Sequence, residues 1–115
     1  MATSFYQVKN YYLSSLKEEL GTGETTIVLD DETGLPEDYP YLLTIWDSTL
    51  YGNNPNLDPN MEIVEVTEDY VGDGYSIVRG KEDTSDVTHA VGSAVAMLLT
   101  AGIIKQIQDA INALE

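Results

Sequence analysis

The chain has 115 residues, 43% of them hydrophobic, and a net charge of −15. That is room for one modest domain, and too much apolar content for a disordered acidic tail. There is no cysteine, which excludes disulfides, thiolate chemistry and cysteine-ligated zinc, and fits a protein made and kept in a cytosol.

The acids are unevenly placed. Fifteen lie between Glu18 and Val78, a span without lysine or arginine, and the rest of the chain carries five charges of each sign. Such a surface repels phosphate backbones and disfavours ordinary nucleic-acid binding. Three readings remain open for it: a solvated, solubilising face, a mimic of DNA set into another protein's basic groove, or contact with a cationic partner.

The opening MATSFYQVKNYY has neither the basic start nor the apolar stretch of a signal peptide. From Phe5 to Leu20 the pattern is ambiguous. Tyr12, Leu16 and Leu20 suit a helix, while Tyr11, Leu13 and Ser15 alternate as a strand would. Five segments then read as strands: Thr25–Asp30, Tyr41–Asp47, Glu62–Thr67, Tyr75–Arg79 and Ala94–Thr100. Thr33-Gly34-Leu35-Pro36 makes a turn between the first two, and Gly72-Asp73-Gly74 supplies a hairpin between the third and fourth. Strands this short predict a mainly β fold, a small antiparallel β-sandwich or barrel-like domain with a C-terminal α-helix. Residues 1–100 would form the β-rich module.

Residues 101–115, AGIIKQIQDAINALE, form the helix. Ile104, Ile107, Ile111 and Leu114 fall at spacings of 3, 4 and 3, an apolar stripe that must pack on something because so short a helix is marginal alone. It could lie on the chain's own sheet. It could also join copies, and isoleucine at both seam positions suits three strands better than two. No apolar run approaches the roughly 18 residues of a membrane span.

Little in the chain supports catalysis. A hydrolase needs a nucleophile, a base and an orienting partner, and the one histidine sits in THAVG, a turn-like stretch without a nucleophile elbow. No phosphate-binding loop is present, and one histidine without cysteine is poor support for zinc. No cofactor is expected. Asn56, Asp58 and Asn60, flanked by Asn54 and Glu62, would put oxygens on one side of an extended loop and make weak calcium candidates. Turn chemistry explains them equally well.

The stretch RGKEDTSDVTHAVGSAV, residues 79–95, holds the chain's only arginine and only histidine. Arg79 at a strand end is placed to hold Glu82 or Asp83 in a forked pair. His89 can donate to a carbonyl and accept from a hydroxyl, closing a loop that has no ladder of its own. This reads as a polar clasp.

With the upstream ETTIVLDDETGLPEDYPYLLTIWD and the strand EIVEVT, the same stretch resembles a module of tailed-phage virion proteins, over about residues 12–99. There a strand, a hairpin, R-G, an acid, Thr, a spacer, His and G-x-x-V follow one another. The resemblance implies a β-rich structural or attachment domain of fibre, baseplate or head-decoration proteins, without catalytic residues. Arg79, Gly80, Asp83, Thr84, His89 and Gly92 then hold structural motif positions. Residues 51–60 look like an expanded loop, and in contrast to the fibre members of that family a long fibre is not expected after the helix.

The expectation is a non-enzymatic virion structural protein, assembled in the bacterial host cytoplasm and forming a homotrimer through its helix. Phe5, Tyr6, Tyr11 and Tyr12 would dock onto other virion proteins or pack in the core. No membrane or nucleic-acid partner is expected. The alternative is the DNA mimic. A glycan-binding tip would need exposed aromatics, with Tyr51, Tyr70 and Trp46 as candidates and Trp46 better suited to the core.

Overall fold

The computed structural model describes residues 12–69, 74–98 and 101–114. Six strands, β1 (Leu13–Ser15), β2 (Thr26–Ile27), β3 (Tyr41–Trp46), β4 (Glu62–Asp69), β5 (Tyr75–Lys81) and β6 (Ala94–Ala96), form one antiparallel sheet in the order β1-β6-β3-β4-β5-β2. A short helix α1 (Ser48–Tyr51) and a 3-10 turn (Pro55–Leu57) interrupt the path from β3 to β4, and α2 (Ala101–Ala113) follows β6.

The sheet curls until its two edges meet. Beyond β1 and β2 the chain forms an antiparallel bridge between Leu16 and Leu29. Lys17 N donates to Val28 O at 3.0 Å and Asp30 N to Ser15 O at 3.0 Å. The result is a half-barrel whose edge strands are stapled together, which removes much of their exposed pairing surface. Gly74 is needed where β5 passes β2, since a Cβ there would stand 2.7 Å from Ile27 O.

The barrel interior holds Leu16, Ile27, Tyr41, Leu43, Ile45, Val64, Val66 and Val95, all fully buried. Alternation along each strand supplies them, because successive side chains point to opposite faces. All six residues of β3 are buried, so its second face is covered as well. Leu42 packs with Ile63, and Trp46 with Ala94 and Ala96, Met61 bordering both clusters. The cover is the excursion from Asp47 to Met61. Asp47 caps α1, accepting from Thr49 N at 2.9 Å and Leu50 N at 3.2 Å, and its own N–H donates to Asp58 at 2.8 Å. Trp46 donates its indole N–H to Gly52 O at 2.8 Å, which places it in the core and away from any glycan.

Several sequence expectations shift. The N-terminal stretch is a strand over Leu13–Ser15 and makes single bridges at Leu16 and Leu20. Thr25–Asp30 pairs as a ladder only at Thr26–Ile27, because its second half turns to staple the opposite edge. Within Ala94–Thr100 the ladder covers Ala94–Ala96, and residues 99 and 100 lie outside the described residues. α2 does not lie on the chain's own sheet: Ile104, Ile107, Ile111 and Leu114 are 42%, 47%, 53% and 87% exposed.

Candidate functional site

Glu62 opens β4 in phase with Val64 and Val66, so its side chain points into the barrel, where it is fully buried. Arg79 lies on the neighbouring β5 in phase with Ile77, which is also a core residue. Two oppositely charged residues therefore meet at inward positions on adjacent strands. An isolated carboxylate there would cost far more than a fold this small can spare, and the surrounding donors decide the outcome.

Five hydrogen bonds converge on the Glu62 carboxylate. Arg79 Nε donates to Oε2 at 2.8 Å and Nη2 to Oε1 at 2.9 Å, a bidentate fork. Gly80 N reaches Oε2 at 2.9 Å and Val87 N reaches Oε1 at 3.3 Å. His89 Nε2 stands 2.8 Å from Oε1. Burial alone would raise the Glu62 pKa. The bonds from His89, Arg79 and Gly80, with the Arg79 charge, outweigh it and hold the group at about 2 against an ordinary 4.5.

Arg79 spends its remaining N–H groups on the backbone of two loops. Nη1 donates to Gly21 O at 2.7 Å and Glu24 O at 2.9 Å, and Nη2 to Val87 O at 2.7 Å. Asp86 pairs with the same guanidinium at 2.9 Å. Burial opposes the charge on Arg79, but Glu62, Asp86 and Glu24 more than offset it and raise its pKa. One side chain thus ties the 21–24 loop, the start of β4 and the 86–89 segment together.

The neighbouring contacts serve the same closure. Leu20 and His89 exchange backbone hydrogen bonds at 3.0 and 2.9 Å. Asp86 accepts from Gly23 N with both oxygens at 3.1 Å, and Thr22 and Thr88 hydroxyls meet at 3.0 Å. Thr84 Oγ1 donates to Lys81 O at 2.6 Å and accepts from Ile63 N at 3.0 Å. Gly80 has φ +59°, and a Cβ there would stand 3.1 Å from Thr84 O. That left-handed conformation beside a close backbone approach accounts for glycine after the arginine. Gly92 also has positive φ, at +88°.

The structure brings Arg79, Gly80 and His89 onto one carboxylate, with Thr84 beside them on Ile63 and Lys81. Asp83 stands apart in the turn after β5, with φ +68°. The partner of Arg79 is Glu62, and not the expected Glu82 or Asp83, because those two residues form the left-handed turn that reverses the chain. His89 likewise faces this carboxylate where a hydroxyl and a carbonyl were expected. Glu62 was missed as the centre of the clasp, although its alternation with Val64 and Val66 marked an inward acid in need of a cation.

The calcium expectation does not survive as geometry. The 3-10 turn at Pro55–Leu57 breaks the extended row. Asp58 is buried, with its oxygens on Asp47 N and Asn60 N at 2.8 Å each, and Glu62 points inward. Among the described residues no group of three or more His, Cys, Asp or Glu is placed to hold a metal. Tyr12 is buried against the core and donates to Asp31 O at 2.5 Å, which is the core-packing alternative of the sequence reading. Burial carries its pKa to about 12. Phe5, Tyr6, Tyr11 and Tyr70 lie outside the described residues.

No protein-family model matches the chain, and a comparison with curated proteins finds no match either.

Proposed function

We propose that the chain is a non-enzymatic structural subunit of a tailed-phage virion, a fibre, baseplate, adaptor or head-decoration component that docks as a homotrimer onto other virion proteins. One observation carries the reading. Arg79, Gly80, Thr84 and His89, four positions of the motif behind the phage resemblance, converge on or beside the buried Glu62 and close the barrel. Their chemistry is directed at the fold itself, as a scaffold module requires.

Self-association is supported by α2, whose four-residue apolar stripe is exposed on the single chain. Assembly in a host cytoplasm suits a chain without cysteine. The test is to purify particles from cells that produce the protein and quantify it in them by mass spectrometry. The reading expects a fixed copy number divisible by three, and absence from particles overturns it. The run of fifteen acids without a base favours the DNA-mimic alternative specifically. Competition with duplex DNA for a basic nuclease would support that alternative over the virion role.

A further inference from the structure

We infer that α2 of one copy lies in an uncharged groove on the body of the next, so that copies join helix-to-body around a closed ring. The inference rests on the self-association proposed above and names its contact surface.

The groove has a volume of about 450 Å³ and runs between edge strand β1, β6 and the excursion after β3. Tyr12, Leu13, Trp46, Ala96, Met97 and Leu98 form its walls, with Asn53 and Pro55 at the rim. Among the described residues no charged side chain lines it, on a chain with 20 acids. Leu13 and Leu98 are 48% and 37% exposed beside it.

The second half of the contact is α2. Its exposed stripe is apolar, and its charged pair, Lys105 and Asp109, is internally matched at 3.1 Å. Like-charged copies repel wherever acid meets acid. They can approach at least cost where both surfaces carry no net charge, and each copy presents one such concave surface and one such helix. A helix that fits a groove, and not another helix, makes a heterologous contact, which closes into a ring when the rotation between copies allows.

Chain geometry favours a neighbour over self-insertion. Leu98 lies at the groove and α2 begins at Ala101, yet the stripe stays exposed. The helix therefore leaves the groove of its own chain unfilled. Its 13 residues span about 20 Å, enough to reach an adjoining body. Two heptads are also too short to be stable as an isolated helical seam, whereas a groove of aromatic and aliphatic walls buries the stripe directly.

The absence of native cysteine makes cross-linking clean. Leu13→Cys and Ile107→Cys chains, differing in tag length, are co-expressed and mildly oxidised. Leu13 is exposed, so the first variant should keep the wild-type melting temperature, and that is checked first. The expected result is that the mixed Leu13–Ile107 disulfide forms most of the cross-linked product. If Ile107→Cys links only to itself while Leu13→Cys stays free, the helices meet each other, and the groove inference falls with the trimer intact. If sedimentation shows the wild type to be monomeric at high micromolar concentration and no cross-link forms, the self-association reading falls as well. A Leu13→Asp, Leu98→Asp variant is the second arm. It is expected to lose the trimer while retaining the monomer's melting transition, and a persistent trimer overturns the inference.

Discussion

The clasp and the C-terminal helix solve opposite problems. Around Glu62, charge is buried and each carboxylate oxygen has hydrogen-bond donors, so the region is complete within one chain. Along α2, apolar side chains are exposed on the single chain, and the proposed self-association would cover them. A buried ion pair is weak evidence for stability in itself, because desolvation offsets much of its Coulomb energy. Its value here lies in which segments it joins. Arg79 reaches two loops and the start of β4, so side chains add to the single Leu20–His89 backbone bridge in closing the barrel end.

The largest effect should come from removing the centre of the clasp. Glu62→Ala leaves Arg79 buried without its carboxylate, and about 3–5 kcal/mol of unfolding free energy should be lost by urea denaturation. A variant as stable as wild type would show that the cluster is incidental. Acid should act on the same point. The Glu62 pKa is depressed in the fold, so its contribution is fully present above the ordinary value of 4.5 and disappears as pH falls from there towards about 2. That shift corresponds to about 3 kcal/mol, and in Glu62→Gln this component of the pH dependence should vanish.

Smaller effects sharpen the contrast. His89→Ala removes one of the five hydrogen bonds to the carboxylate and should cost about 1–3 kcal/mol, read as a lower melting temperature. Asp47→Ala removes the cap of α1 and should cost about 1 kcal/mol. At the other end of the scale, Ile107→Asp with Ile111→Asp should change monomer stability by less than about 0.5 kcal/mol, because both sites are exposed. If the proposed trimer forms through α2, light scattering should show the same variant as a monomer. If it unfolded the monomer instead, α2 would belong to the protomer's own core.

Much of this contrast was legible in the residues. The strands and the stripe at 104, 107, 111 and 114 follow from periodicity, β4 and β5 pair antiparallel as the expected hairpin requires although Gly72 and Asp73 lie outside the described residues, and Arg79 and His89 stood out as single copies. What the sequence concealed was distance. Residues 82 and 83 looked like partners of Arg79 because they are close along the chain, while Glu62 is 17 positions away and adjacent only across the β4–β5 pairing. Likewise, Thr25–Asp30 read as one strand because its composition is uniform. The bridge from Leu29 to Leu16 that splits it depends on how far the sheet curls. For Tyr12 the sequence left docking and core packing both open, and the curled sheet places it against the core.

The central claim, that Glu62 and Arg79 act as one unit in closing the barrel, is tested most directly by a double-mutant cycle. Unfolding free energies of wild type, Glu62→Gln, Arg79→Met and the double variant would be measured in urea at neutral pH. The two residues share a bidentate bond and a buried environment, so the losses should be strongly non-additive, with a coupling of about 2–3 kcal/mol. Losses that add to within about 0.5 kcal/mol would mean that the two side chains act independently, and the clasp would be contradicted.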